Sequence, residues 1–267
     1  LPESHPLPPH FGLMAVDAKD STRLPSLQHA RLSRALTDIV HHGLERAGLQ
    51  EMVREFEDHS GDGLAFGFDP SHVPFVLSPF ADVLNTSLQE HNAGSGPRLR
   101  LRMSVHIGPV PRTPGLPGDG NAAPRSETHR LLDSVPARDW LARADEHATP
   151  LVLIVSETVY RTVVVGGYCA LPPARFTKVR AEVTGKDFAR TAWIYVPSPS
   201  GELLSGSCAL PARVSELESE VAECLPPLPQ QDGIRSQYVE SGVAVMDCTI
   251  GDLHHHATPR RGPDRGP

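Results

Sequence analysis

Apolar and polar positions change period several times along this chain of 267 residues, and each change predicts an element. Residues 10–18 form a short, nearly continuous apolar run, the pattern of a buried strand. Asp20, Ser21 and Thr22 follow, with side-chain acceptors that suit a turn into a helix. Leu32, Ala35, Leu36, Ile39, Val40, Gly43, Leu44 and Ala47 then recur at three- and four-residue steps. That spacing predicts a helix to about Ala47, with one stripe for packing on a sheet and Gly48 as its stop. Residues 51–58 and 63–69 predict a hairpin about Gly61-Asp62-Gly63, where glycine and aspartate tolerate the positive φ of tight turns. Val76, Phe80, Val83, Leu84 and Leu88 predict a second helix over 76–92, unless Pro79 delays its start.

The most regular strand pattern is 98–107. Leu99, Leu101, Met103, Val105 and Ile107 fall on one face and Arg98, Arg100, Arg102, Ser104 and His106 on the other. The arginine face could line a phosphate site or a dimer seam; the preferred reading is the wet face of a half-buried sheet. After a Pro/Gly-rich loop to about 125, a helix is expected from Ser126 through Leu131, Leu132 and Val135 into Trp140 and Leu141. A buried strand at 150–156, a short helix at 157–165, and a hairpin of 174–183 with 188–196 about Thr184-Gly185-Lys186-Asp187 complete the pattern. This order predicts an α+β fold with a ferredoxin-like core, a mostly antiparallel sheet packed by helices.

The 27 prolines and 22 glycines crowd between these segments and at the ends. They divide the chain into a disordered leader (1–9), a domain (10–197), and a linker with a partly disordered tail (198–267). The tail carries an acidic helical segment at 214–225 and a candidate strand at 243–250, short elements of the kind that dock partner proteins. A net charge of −7 with dispersed Lys and Arg offers no basic footprint for nucleic acid. No apolar run approaches the roughly 20 residues of a membrane span, and no secretory leader opens the chain, so a cytoplasmic, soluble protein is expected. The 4 cysteines lack C-x-x-C spacing, which argues against zinc and disulfides.

The chemistry concentrates where strands end. Asp17 closes the first apolar run, and Asp62 sits between Gly61 and Gly63 at the hairpin tip. If those strands pair, the two carboxylates converge, an arrangement suited to divalent metal and phosphate chemistry. Taken singly, each aspartate reads more simply as a cap or turn residue. His254, His255 and His256 are consecutive and cannot easily converge on one ion, and His41 and His42 point different ways on one helix.

Asp17-Ala-Lys-Asp-Ser-Thr22, Gly61-Asp62-Gly63 before Leu-Ala-Phe, and Arg102-Met-Ser-Val-His-Ile-Gly-Pro-Val110 stand in the order of three motifs of class III nucleotidyl cyclases. Over about 10–197 the chain resembles a divergent bacterial member of that family. His129-Arg130-Leu-Leu-Asp133 resembles the helix that carries its transition-state arginine. The resemblance implies conversion of a nucleoside triphosphate to a 3′,5′-cyclic nucleotide and pyrophosphate by two Mg²⁺ or Mn²⁺ ions. Asp17, Asp62 and the Ala18 carbonyl would hold the ions, and Arg130 would steady the transferred phosphoryl group. It further implies a homodimer, the aspartates of one subunit facing the arginine of the other. Lys186 stands where a phosphate-binding lysine would, and a solvated hairpin-tip lysine is its simpler reading.

Two positions depart from the family pattern. Ser126 occupies the place of a ribose-orienting asparagine four residues before Arg130, with Asn121 farther back in the loop. Asp58 occupies the place of a base-reading lysine; as an acceptor it suits a base edge that presents donors, such as guanine, or no base at all. These departures keep a second reading open, a catalytically degenerate module that senses nucleotide or docks a signalling partner. A metal-dependent phosphotransferase of polymerase-palm type is a third, disfavoured by the His106-Ile-Gly-Pro-Val110 match.

Overall fold

The computed structural model describes residues 3–19, 26–114 and 118–204. The tail segments at 214–225 and 243–250, the leader's first two residues, and Asp20, Ser21 and Thr22 lie outside the described residues. The strands are β1 (His10–Ala18), β2 (Glu55–His59), β3 (Gly63–Phe68), β4 (Leu101–Pro109), β5 (Leu151–Ser156), β6 (Thr177–Glu182) and β7 (Ala189–Tyr195). The longer helices are α1 (Ser26–Arg46), α2 (Ala81–Asn92), α3 (Ala123–Leu132) and α4 (Val135–Arg143).

The strands form one seven-stranded sheet in the order β2-β3-β1-β4-β5-β7-β6. β1 runs antiparallel to both β3 and β4, the ferredoxin-like core, and β4 with β5 makes a parallel pair in an otherwise antiparallel set. Alternation along β1 explains the layers. Met14, Val16 and Ala18 join the large cluster under α1 and α2, with Leu36, Val40, Leu84, Met103 and Val105. Ala15 packs with Ala65 and Leu132 on the opposite face, below α3.

Helices therefore cover both faces, and this corrects the expectation of a wet arginine face on β4. Ser104 is fully buried, its hydroxyl donating to the Thr128 carbonyl of α3 at 2.8 Å. Arg100 reaches under α4 to the carbonyls of Leu141, Ala144 and Thr149. Three arginines suggest solvent by composition, yet long side chains satisfy buried carbonyls as readily as water does.

Element boundaries shift for local reasons. The second helix begins at Ala81 because Pro79 interrupts the preceding turns. The helix expected from Ser126 onward is two: α3 ends at Leu132, and Val135-Pro136 starts α4 as a new first turn, where a missing amide costs nothing. Gly48, at φ 76°, does end α1.

Candidate functional site

The register of β1 and β3 sets Asp17 opposite Gly63. One step on, the Ala18 amide donates to the Asp62 carbonyl at 2.9 Å, so the strand end and the hairpin tip are stitched together. The tip is held tight by Ser60, whose amide donates to the Gly63 carbonyl at 3.1 Å, and by Gly61 at φ 77°. The Ser33 hydroxyl of α1 donates to the Gly61 carbonyl and anchors the turn from below.

Asp17 and Asp62 line one cavity of about 150 Å³, together with Asp58, Ser60, His129 and Asp133. Burial pushes the Asp17 carboxyl up from its ordinary 3.8 to about 6. Arg102 opposes that shift, while the charges of Asp133 and Asp62 add to it. Burial also holds the His129 imidazole below its ordinary pKa, and Arg125 acts in the same direction. The pocket is thus acidic and partly desolvated, a setting in which carboxylates and an added cation interact strongly.

Asp17 already has a cationic partner. Arg102 lies directly across from it in the β1–β4 register, and its Nε donates to Asp17 Oδ1 at 2.9 Å while Nη2 donates to Oδ2. Asp58 is likewise engaged, accepting from Arg125 of α3 at 3.2 Å. Hard carboxylate oxygens from Asp17 and Asp62 fit Mg²⁺ or Mn²⁺ by donor type. They do not form a finished cage: among the described residues no three His, Cys, Asp or Glu side chains stand together to hold an ion.

The remaining predicted residues lie around this pocket rather than in it. Ser126 and Asn121 line a neighbouring cavity of about 300 Å³ with Asp58, Arg125 and His129, so the loop brings an amide back beside the serine. Arg130 is exposed on the other flank of α3, its guanidinium 5.8 Å from the centre of the Phe188 ring. Lys186, at the β6–β7 turn, lines a third cavity with Asp133, Arg138 and Asp139. Arg102, Arg125, His129 and Asp133 were not among the candidate site residues. The four-residue steps from Arg125 to His129 and from His129 to Asp133 put these three on one side of α3 and its C-terminal cap, a helical signal visible in the sequence.

No protein-family model and no curated protein matches the chain. Solved structures that it resembles are nucleotide cyclases. The guanylyl cyclase Cya2 is 11% identical, with a TM-score of 0.48 over 72% of this chain and 93% of that one. The adenylate/guanylate cyclase/hydrolase from Silicibacter pomeroyi is 18% identical, with a TM-score of 0.47 over 71% and 97%. The adenylyl cyclase CyaB from P. aeruginosa is 14% identical, with a TM-score of 0.42 over 70% and 93%. Likeness at this level is remote and says nothing of chemistry, which rests on the residues themselves.

Proposed function

We propose that this is a class III cyclase-like domain that takes a nucleoside triphosphate at the acidic pocket and converts it to a 3′,5′-cyclic nucleotide and pyrophosphate. The observation that carries the reading is the junction of Asp17 and Asp62 at one cavity, in a register fixed by the β1–β3 ladder. Bound to these carboxylates and the Ala18 carbonyl, Mg²⁺ or Mn²⁺ would supply acidity to a ribose 3′-hydroxyl and charge to the triphosphate.

The chain's own groups support the rest of the reading. Arg130 is absent from the lining of its own pocket and stays exposed, as a residue offered to a second copy would be. A homodimer therefore fits, with Arg130 of one subunit steadying a phosphoryl group held by the other. Ser126 lies one turn before Arg130 on α3 and lines a cavity with Asn121, so a hydroxyl and an amide are available to a ribose. Asp58 offers acceptor oxygens, suited to the donor edge of guanine once Arg125 gives way. Lys186 would approach the phosphates from the β6–β7 turn. No described helix is long and apolar enough to cross a membrane. In this reading the domain works in the cytoplasm, and 198–267 forms a tail that docks a signalling or effector protein.

One observation favours a second reading. Arg102 occupies both Asp17 oxygens and Arg125 holds Asp58, as in a catalytically degenerate module that binds nucleotide without turning it over. Single-turnover incubation with each ribonucleoside triphosphate and Mn²⁺, products separated by mass, decides between them. A cyclic product that disappears in Asp62→Ala is the expected result. No conversion by a dimeric chain that retains Mn²⁺ rejects the enzyme and leaves the sensing or docking module.

A further inference from the structure

The Arg102 side chain is built into the site rather than draped over it. It and Asp17 are only 11% and 17% exposed, and they face each other across adjacent strands, so the contact needs no loop to form it. The planar guanidinium matches a carboxylate through two parallel donors, a geometry that a compact ammonium cannot reproduce. The neighbours on the same face of β4 are committed elsewhere. Arg100 donates to the carbonyls of Leu141, Ala144 and Thr149, and Ser104 donates to the Thr128 carbonyl. Arg102 is turned to the Asp17 carboxylate, and it places a positive charge where the pocket's acidic groups would otherwise draw a free cation.

We infer that Arg102 is a built-in competitor for divalent cations at Asp17, so that an ion binds there by cation exchange, the guanidinium leaving the carboxylate as the ion arrives. The inference rests on the two-carboxylate reading of the pocket and adds the residue that sets its metal affinity. Two effects act in the same direction. Both Asp17 oxygens must lose a charge-assisted hydrogen bond before they can ligate, and the nearby guanidinium charge repels the incoming ion. The free pocket is therefore a weak metal site, and its affinity is set by a residue that need not touch the metal.

The test is Mn²⁺ binding to the full chain without nucleotide, followed by loss of the free-ion electron paramagnetic resonance signal, with circular dichroism as the check on folding. Arg102→Met is expected to bind at least about tenfold more tightly than the unaltered chain. Arg102→Lys, which keeps the charge but lacks the two-pronged donor, is expected between them and serves as the test if the methionine variant does not fold. The gain should vanish in Asp17→Asn/Arg102→Met. Equal, Asp17-dependent binding in the unaltered chain and in both arginine variants overturns the exchange while leaving the two-carboxylate site standing. A gain that survives Asp17→Asn overturns it as well, because the ion then sits elsewhere. If none of the chains binds Mn²⁺, the two-carboxylate reading itself falls, and the exchange with it.

Discussion

The amide of Ala18 donates to the carbonyl of Asp62 at 2.9 Å, which ties the end of β1 to the tip of the β2–β3 hairpin. Two segments more than forty residues apart thereby become one edge of a pocket. That junction has little slack. A Cβ at Gly63 would come within 3.0 Å of the Val16 carbonyl and 2.7 Å of the Ser60 hydroxyl. Gly63→Ala is expected to push the hairpin away from β1 and cost about 1–3 kcal/mol, the usual range for overpacking. Urea denaturation measures the loss, and an unchanged midpoint would show that the tip adjusts freely.

Arg125 and Asp58 make the contrasting case, an ion pair whose aspartate is largely exposed. Exposed pairs contribute little, so Arg125→Ala should change stability by no more than about 1 kcal/mol. It should nevertheless alter which nucleotide the domain retains, because it frees Asp58 as an acceptor. Equilibrium binding of GTP and ATP analogues by the two chains, alongside their melting curves, checks both halves.

The Tyr195 hydroxyl donates to Asp82 at 2.7 Å from within the core, fastening β7 to α2. Tyr195→Phe removes a charge-assisted hydrogen bond and is expected to cost about 1.5–3 kcal/mol. Because this contact lies outside the groups lining the acidic cavity, Mn²⁺ binding at moderate temperature should be unchanged.

His106 gives the stability a pH dependence. Burial holds its imidazole below the ordinary 6.5, Glu127 opposes the shift, and Nδ1 has no hydrogen-bond partner among the described residues. A group with a depressed folded pKa binds fewer protons folded than unfolded, so its stabilisation is present above 6.5 and is lost as the pH falls through and below that value. Unfolding midpoints at about pH 5 and about pH 7.5 should differ more for the unaltered chain than for His106→Gln. Equal differences would assign the acid sensitivity to other groups.

Arg130 tests the homodimer. If it serves the pocket of a second copy, Asp62→Ala and Arg130→Ala chains should each be inactive alone yet regain cyclic-nucleotide formation when mixed. Such a mixture can assemble one site with both residues intact. An inactive mixture whose chains demonstrably exchange would count against a shared site.

Much of the fold was legible because the core positions follow period. The Leu99, Leu101, Met103 and Val105 alternation and the Leu36, Val40 and Leu44 stripe each have one stable way to bury themselves, and the structure uses it. Asp17 and Asp62 were legible for a related reason: a carboxylate where an apolar strand ends, and another in a glycine turn, must lie near strand ends, and antiparallel pairing brings such ends together.

The sequence by itself determined where the strands and most of the helices lie and put both aspartates at strand ends, since these follow from short-range periodicity and turn chemistry; the β1–β3 pairing that aligns them is a long-range contact of the fold. Only the tertiary structure decided what those aspartates touch. Helices laid over β4 turned Arg100 and Arg102 of an apparently wet row inward while Arg98 stayed exposed, and the β1–β4 register set Arg102 on Asp17. The helix α3 likewise carried Arg125, His129 and Asp133 toward the acidic pockets while leaving Arg130 outside. Charged side chains pair according to the elements packed above them, and that packing is a long-range property which no local pattern contains.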